Sequence, residues 1–275
     1  MSAAIEALPP LREVIARHDL AARKALGQNF LLDLNLTRKI ARAAMPWTGA
    51  TVIEIGPGPG GLTRALLLEG APAVVAVERD ERCLAALADL VAAADGTLRL
   101  HPGDALETDF AALAPPPWQV VANLPYNIAT PLILGWIARA ECFSRITVLV
   151  QKEVAERLAA PPGGKDYGRL AVAAQWRCSV RLLFDIGPKA FVPPPKVTST
   201  LVELAPRPAP LAEADPKKLE RVTAAAFGQR RKMLRAALKG LWPDADAKLA
   251  AAGIDPTRRA ETLSIPEFCS LARLL

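Results

Sequence analysis

The sequence has few of the residues that bind metals or form disulfides. It contains two histidines, His18 and His101, and four cysteines, Cys83, Cys142, Cys178 and Cys269. The cysteines form no CxxC pair and no cluster with histidine, which argues against a zinc site and against a disulfide framework. We therefore expect no metal, and we interpret both histidines as non-catalytic.

Long apolar segments are also missing from the sequence. The first twenty residues, MSAAIEALPPLREVIARHDL, lack the apolar centre of a signal peptide. No apolar run approaches the roughly 18 residues that a membrane-spanning helix needs. These absences predict a cytoplasmic protein with no membrane partner.

What the chain does have is a large apolar fraction and an excess of positive charge. Its 275 residues are 51% hydrophobic, enough for one large domain or two ordinary ones with a real core. The formal net charge is +6. A basic globular protein favours an anionic partner, with nucleic acid as the first candidate, although many basic proteins bind none.

Short β-branched or apolar runs alternate with helical patterns over much of the chain. Five runs predict strands, at 51–55, 73–78, 97–100, 119–123 and 146–151. The stretches LTRALLLEG and ERCLAALADLVAAA between the first three runs predict helices. Such alternation is typical of an α/β fold with a parallel sheet covered on both faces. Two later runs, 180–186 and 199–204, predict an antiparallel hairpin at one end of the sheet.

A stretch rich in proline and alanine, APRPAPLAEADP at 205–216, has no periodicity and is interpreted as a linker. Beyond it, KKLERVTAAAFGQRRKMLRAALKGL and PEFCSLARLL are helical in pattern. The sequence therefore predicts two domains. Residues 1–206 form an α/β domain with an N-terminal extension, and residues 207–275 form a small helical domain.

The stretch VIEIGPGPGGLTRAL runs from a predicted strand through glycines into a predicted helix. Gly56, Gly58 and Gly61 fit the G-x-G-x-x-G pattern of dinucleotide sites. A pyrophosphate is held by backbone N–H groups, however, and Pro57 and Pro59 have none to give. The loop therefore suits close approach of a ligand without phosphates.

Two acids follow neighbouring strands at the same predicted edge of the sheet. Glu78 ends the second strand, where a carboxylate can accept both ribose hydroxyls, and Asp104 could accept from an adenine amine. Either acid alone would be interpreted as a solvated strand end. Together, and without a pyrophosphate cradle, they indicate S-adenosylmethionine.

The fourth strand ends in the unusual sequence NLPY. The side-chain oxygen of Asn123 and the backbone carbonyl of Leu124 can accept both N–H groups of an adenine N6, which would direct its lone pair at a methyl group. Pro125 holds Leu124 in an extended conformation. Tyr126 then offers a ring on which a flipped-out base can stack. A bare NLPY tetrapeptide is otherwise only a strand end and a proline turn.

In this order the motifs resemble the small-subunit (16S) ribosomal RNA adenine N6-dimethyltransferases of bacteria. The similarity covers nearly the whole chain, in KALGQNFLLD, VIEIGPGPGGLT, VERD, GDAL, NLPYNI, VQKEVAERL, YGRLAV, AFVPPPKVTS and FGQRRKMLR. It implies a Rossmann-like seven-stranded S-adenosylmethionine-dependent methyltransferase domain with a helical appendage. The cofactor contacts that it implies fall on Asn29, Leu31, Gly56, Glu78, Asp104 and Asn123, and Gly58 of the same loop is added here.

The resemblance also implies a substrate. Two adjacent adenosines near the 3′ end of 16S ribosomal RNA would each receive two methyl groups, within the small ribosomal subunit or its precursor. The product would be N6-dimethyladenosine, with a role in ribosome biogenesis, and we expect the enzyme to be a monomer.

Two further sets of residues gain a role from this resemblance. Phe191, before three prolines, is by sequence alone slightly better explained as a core residue, but the family match favours a second ring against the base. The stretch QRRKMLRAALK predicts a helix with Arg231 and Arg235 on one face. Arg230 and Lys232 flank that face. A charged face is usually only solvated; here it is a candidate for RNA phosphates.

Several other functions stay open at this point. A macrolide-resistance type of methyltransferase would use the same chemistry on the large subunit, but FGQRRKMLR and FVPPPKV favour the small subunit. A ribosome-assembly factor could use the fold as a platform, which the intact Asn123 and Tyr126 argue against. A DNA adenine methyltransferase usually has an acid where Asn123 stands. A dehydrogenase is disfavoured by Pro57 and Pro59.

Overall fold

The computed structural model describes residues 2–23, 27–47 and 50–275. The first three residues of the KALGQNFLLD motif lie outside these ranges. The strands in chain order are β1 Phe30–Leu31, β2 Thr51–Ile55, β3 Val74–Glu78, β4 Leu98–Pro102, β5 Trp118–Asn123, β6 Phe143–Gln151, β7 Cys178–Ile186, β8 Phe191–Val192 and β9 Ser199–Pro206. All seven strands predicted from the sequence are present.

Seven of these strands form one sheet in the order β4-β3-β2-β5-β6-β9-β7. The pairs β2–β3, β3–β4, β2–β5 and β5–β6 are parallel. Strand β9 pairs antiparallel with β6, and β7 follows it at the edge. The predicted doubly wound sheet with two late strands at one end is confirmed.

The central strands are continuous apolar runs because helices cover both of their faces. Strand β3 is buried throughout, and β5 is buried except at its last residue. Parallel pairing places the carboxyl ends of β2, β3, β4 and β5 at one edge of the sheet. Ile55, Glu78, Pro102 and Asn123 are therefore the last residues of four strands that end together.

The helices in chain order are α1 Ser2–Glu6, α2 Leu11–Arg17, α3 Leu34–Ala44, α4 Gly61–Leu68, α5 Glu81–Ala86, α6 Ala88–Ala93, α7 Tyr126–Ala138, α8 Lys152–Ala159, α9 Arg169–Arg177, α10 Pro216–Gly228, α11 Leu234–Ala237, α12 Ala245–Ala251 and α13 Ile265–Arg273. Side-chain caps fix several starts: Asp33 accepts from two amides of α3, and Ser264 with Glu267 forms a capping box on α13. Within the described ranges, no helix is long and apolar enough to cross a membrane.

The chain forms two compact units. The first comprises residues 1–152 and 181–205. Its core joins the sheet to α3 and α4. It also includes the fully buried Ile5 of the N-terminal extension. Arg64 of α4 donates to the carbonyl of Pro9 at 3.0 Å. This hydrogen bond attaches the N-terminal extension to the helix that follows the glycine loop.

The second unit comprises residues 153–180 and 206–275. Its core includes Tyr167 and Trp176 from the earlier segment together with Leu219 and Phe268 from the later one. Residues 153–180 thus belong with the C-terminal helices in space, although they precede the predicted boundary at 206/207. The division into domains 1–206 and 207–275 stays a prediction.

The predicted long helix through QRRKMLRAALK is wrong. Helix α10 ends at Gly228, residues 229–233 form a turn, and α11 is a separate short helix. Arg231 and Arg235 therefore do not share one helical face. Met233 is 43% exposed, whereas the next residue, Leu234, is buried.

Candidate active site

A pocket opens at the edge of the sheet where the four parallel strands end. It is lined by the glycine loop, the ends of β3 and β5, the start of α7 and residues 27–31. All of these belong to the first unit. The predicted site residues that line it are Asn29, Leu31, Gly56, Gly58, Glu78, Asp104, Asn123, Leu124 and Tyr126.

The glycine loop has no backbone donors left for a phosphate between residues 56 and 60. Pro57 and Pro59 have no N–H. The N–H of Gly56 donates to the carbonyl of Val77 at 2.9 Å, and that of Gly60 donates to the carbonyl of Pro57. The N–H of Gly58 donates to the Glu78 carboxylate at 3.1 Å. The two prolines remove two donors, and the three remaining N–H groups all donate to acceptors of the protein itself. None of the five residues therefore offers a free N–H to a phosphate.

Glycine is required in the loop for conformational reasons. Gly56 has φ +65° and Gly58 has φ +55°, both in the left-handed region. A Cβ on Gly58 would lie 3.0 Å from the Phe30 ring, so the loop packs closely on that side chain. A Cβ on Gly56 would lie 3.9 Å from the Pro125 ring. Gly56 and Pro125 both line the pocket.

The Glu78 carboxylate is both part of the pocket and part of its support. It is 6% exposed and accepts backbone N–H groups of Gly58, Arg79 and Asp80 at 2.8–3.1 Å. Burial raises the pKa of Glu78, and these three amides offset part of the increase. Because a carboxylate has about four acceptor positions, roughly one is left for a ligand hydroxyl.

Asp104 follows β4 and is engaged on both of its carboxylate oxygens. One accepts the backbone N–H of Leu106 at 3.0 Å. The other accepts from the Arg79 guanidinium at 3.0 Å, in an ion pair whose arginine is 67% exposed. An adenine amine that binds Asp104 would therefore share or replace an exposed ion pair, which costs little.

An acid that the sequence did not single out, Glu54, lines this pocket from the fourth of the five residues of β2. It is fully buried, and among the described residues no donor reaches its Oε2 atom. Burial raises the pKa of Glu54 to about 8, the nearby Thr63 hydroxyl lowers it, and the neighbouring Glu78 carboxylate raises it further. The signal in the sequence was a single acid inside the apolar run TVIEI.

The charges around the pocket favour a cationic ligand. Two acids that can carry charge, Glu78 and Asp104, and one basic side chain, Arg79, line it, whereas the raised pKa of Glu54 keeps that third acid mostly protonated at neutral pH. The remaining excess of one negative charge opposes a pyrophosphate and is compatible with a sulfonium or an ammonium group. In the described part of the chain, no group of three or more acidic, histidine or cysteine side chains is arranged to hold a metal ion.

The NLPY turn presents two oxygen acceptors. The side-chain nitrogen of Asn123 donates to the carbonyl of Asn29 at 2.9 Å, which fixes the amide orientation and leaves its oxygen as an acceptor. The Leu124 N–H continues the ladder by donating to the carbonyl of Leu149. Of the hydrogen bonds between described residues, none uses the carbonyl oxygen of Leu124.

Residues 27–31 cross the pocket and are held at three points. The Gln28 amide donates to Asp80 at 3.0 Å, and the carbonyl of Asn29 holds Asn123. Leu31 pairs with Phe191 in the two-stranded sheet of β1 and β8. This pairing brings the QNFLLD and FVPPPKV motifs together, although 160 residues separate Leu31 from Phe191 in sequence (191 − 31).

The two predicted stacking rings have different surroundings. Tyr126 is half-buried, lines the pocket and lies with its hydroxyl oxygen 2.7 Å from that of Ser199. Phe191 is 2% exposed, belongs to the core of the first unit and does not line the pocket. In this conformation the Phe191 ring has no open face for a base, so its stacking role stays a prediction.

The predicted RNA-binding residues all lie in the second unit. Arg231, Lys232 and Arg235 are exposed, whereas Arg230 is partly buried. The Arg230 guanidinium donates to the carbonyls of Gly164 and Lys165, at 3.3 and 2.6 Å. Arg230 thus has a structural role within its own unit, and the other three are the accessible cations.

S-adenosylmethionine fits the residues of this pocket. Glu78 and Asp104, at the ends of β3 and β4, could accept hydrogen bonds from its ribose and adenine, and Gly56 adds no side chain to the pocket. The excess of one negative charge among Glu78, Asp104 and Arg79 suits its sulfonium. The loop amides that a pyrophosphate would need are absent or already used.

Comparison with known proteins agrees with this geometry. A sequence profile described as "Ribosomal RNA adenine dimethylase" matches residues 20–275. The ribosomal RNA small subunit methyltransferase A of Rhodospirillum rubrum is 62% identical over 268 residues, which cover 98% of this chain and 93% of that protein. The protein of the same name from Paracoccus denitrificans is 59% identical over 273 residues, covering 98% of this chain and 97% of that protein.

Two solved structures share the fold over most of the chain. A dimethyladenosine transferase from Plasmodium falciparum matches with a TM-score of 0.74 and 26% identity, over 87% of this chain and 94% of that one. The 23S rRNA methyltransferase ErmE matches with a TM-score of 0.69 and 26% identity, over 89% of this chain and 98% of that one. With a profile match over residues 20–275 and relatives aligned over nearly their full length, the chain belongs to the ribosomal RNA adenine dimethylase family.

Proposed function

We propose that this protein is an S-adenosylmethionine-dependent enzyme that dimethylates N6 of two adjacent adenosines near the 3′ end of 16S ribosomal RNA. The observation that carries the proposal is the pair of oxygen acceptors at Asn123 and Leu124, at the mouth of a pocket that suits this cofactor. S-adenosylmethionine supplies a methyl group on a sulfonium that needs no further activation. The protein therefore has to align the adenine amine and favour its attack.

Asn123 and Leu124 perform that alignment. Their oxygens accept the two N–H groups of N6, which concentrates the nitrogen lone pair and directs it at the methyl group. The same two oxygens would stabilise the positive charge that N6 gains when it takes the methyl group and the neutral thioether leaves, and the amine would then lose a proton to solvent.

Tyr126 provides the face on which the flipped base rests. Base–aromatic stacking is worth roughly 1–3 kcal/mol, which offsets part of the few kcal/mol lost when a base leaves its stack. Phe191 would be a second ring only after its side chain leaves the core position that it occupies here.

The second unit supplies contacts to the RNA backbone. Arg231, Lys232 and Arg235 are exposed cations that can neutralise phosphates without reading sequence. Arg230 instead donates to the carbonyls of Gly164 and Lys165 within the same unit.

The choice of the small subunit rests on the relatives. The two that are 62% and 59% identical carry small-subunit names, whereas the 23S enzyme ErmE is 26% identical. We further propose that the protein acts as a monomer in the cytoplasm on the small subunit or its precursor. Light scattering of the purified protein, alone and with small subunits, tests the assembly state.

Replacing Asn123 by alanine tests the catalytic assignment. We expect methyl transfer to unmethylated small subunits to be lost while S-adenosylmethionine affinity, measured by calorimetry, falls only modestly. Asn35→Ala is the control, because that exposed asparagine lies outside the pocket and the variant should keep full activity. Wild-type turnover by Asn123→Ala would refute the assignment.

A further inference from the structure

Tyr126 is held at both ends of its side chain. Its backbone begins α7 directly after Pro125, whose ring fixes the preceding turn. Its phenol oxygen lies 2.7 Å from the hydroxyl oxygen of Ser199, which is a good hydrogen-bond distance. A ring that only filled space would need its backbone fixed, but it would not need a hydrogen bond at its hydroxyl.

Ser199 is itself in a rigid position. It is fully buried at the start of β9 and pairs in register with Gln151 of β6. The residue before it, Thr198, accepts the backbone N–H of Lys152 at 2.9 Å. With its backbone held by β6 in this way, the Ser199 hydroxyl cannot easily follow a moving ring.

From this geometry we infer that Ser199 is a positioning residue for methyl transfer, because its hydroxyl fixes the Tyr126 ring in the plane that the stacked adenine must adopt. The inference rests on the proposed function and adds a residue from β9 to that site. A ring without this anchor can turn about χ1 and χ2, and the base would turn with it. The two acceptors at Asn123 and Leu124 would then meet N6 in the correct geometry for a smaller fraction of the time.

The second methyl transfer should depend most on this anchor. A monomethylated amine has one N–H left, and its methyl group must point away while the ring plane stays fixed. Loss of the anchor should therefore raise the fraction of monomethyladenosine in the product as well as lower kcat. Burial keeps the Tyr126 phenol protonated by raising its pKa, although Ser199 offsets part of that increase.

A double-mutant cycle tests the inference. We expect Ser199→Ala and Tyr126→Phe each to lower kcat about three- to tenfold, the effect of one neutral hydrogen bond, and to raise the mono- to dimethyladenosine ratio. The double variant should be no worse than the poorer single variant. S-adenosylmethionine affinity, measured by calorimetry, should stay within about twofold in all three, because the bond supports the base and not the cofactor.

Thr200→Val is the matched control. It removes a buried hydroxyl from the adjacent position of the same strand, but that hydroxyl binds Asp185 and not Tyr126. We expect this variant to lose thermal stability while kcat and the product ratio stay at wild-type values. A purely structural role for Ser199 predicts the same behaviour for both variants.

Three outcomes would overturn the inference: equal kcat and product ratio for Ser199→Ala and Thr200→Val, multiplying effects in the double variant, or wild-type behaviour of Tyr126→Phe. The last remains decisive if Ser199→Ala fails to fold, since Tyr126→Phe keeps the ring. The variant Tyr126→Ala distinguishes a failure of the Ser199 anchor from a failure of the stacking role of Tyr126. If it loses activity while Tyr126→Phe and Ser199→Ala do not, only the anchor is wrong; if Tyr126→Ala is fully active, the stacking role in the proposed function fails as well.

Discussion

Replacing Glu54 by glutamine should make the protein more stable at neutral and alkaline pH. Glu54 lines the pocket and is fully buried, and its pKa is raised from 4.5 to about 8, first by burial. In the unfolded chain the carboxyl loses its proton near pH 4.5, whereas in the folded protein it keeps the proton up to about pH 8. Its contribution to stability is therefore fully present below the unfolded pKa and is lost as pH rises towards the folded pKa.

The magnitude follows from the width of that interval. Each full pH unit between the two pKa values costs about 1.36 kcal/mol of free energy of unfolding, and less close to either pKa, so roughly 3–4 kcal/mol should be lost between about pH 5 and pH 8. Glutamine has nearly the same shape and no ionisation, so Glu54→Gln should not lose it. The difference in unfolding free energy between variant and wild type should grow by that amount over the interval.

Urea unfolding at several pH values measures this difference. Glu69→Gln is the control, because Arg42 and Arg38 hold the pKa of Glu69 below its ordinary value. Its contribution is lost only as pH falls through that lower pKa, so above about pH 5 its effect should be constant. A pH-independent difference between wild type and Glu54→Gln from about pH 5 to pH 8 would refute the reasoning for Glu54.

Glu78→Ala should weaken S-adenosylmethionine binding by about 1.5–3 kcal/mol, because the one hydrogen bond that this carboxylate can still accept from a ligand hydroxyl is removed; unchanged calorimetric affinity would place the ribose elsewhere. Arg231→Ala combined with Arg235→Ala should weaken RNA binding and reduce its salt slope by roughly one for each phosphate that is no longer neutralised, with cofactor affinity intact; an unaltered slope would leave both residues merely solvated. Phe191→Ala should cost about 3–5 kcal/mol of unfolding free energy as a core truncation. If kcat and the product ratio, measured at a temperature where the variant is fully folded, stay at wild-type values, Phe191 is a core residue only.

The sheet could be predicted from sequence because its strands are local signals. A strand buried on both faces must be an unbroken apolar or β-branched run, and VVAVE at 74–78 meets that condition by itself. The position of Asn123 and Glu78 at one edge then follows from parallel pairing. Pro57 and Pro59 were equally informative, because a missing N–H is a property of the residue and not of its neighbours.

Features that depend on distant contacts were not predictable. The chain leaves α10 at Gly228 although QRRK continues a helical pattern, so Arg231 and Arg235 do not share one helical face. The pairing of β8 with β1, which places Phe191 beside Leu31, joins strands that lie far apart in the sequence. The bond between Tyr126 and Ser199 joins residues 73 positions apart.

The central claim is that the enzyme places two methyl groups on N6 of adenosine in the small-subunit RNA. It is tested by incubating the protein and labelled S-adenosylmethionine with small subunits lacking these methyl groups, with large subunits and with duplex DNA. The labelled nucleosides are then identified by mass spectrometry, and their positions are mapped. We expect N6-dimethyladenosine at two adjacent positions near the 3′ end of 16S RNA and no label in the other two substrates. Label confined to the large subunit or to DNA, or a labelled nucleoside other than N6-methylated adenosine, would contradict the account.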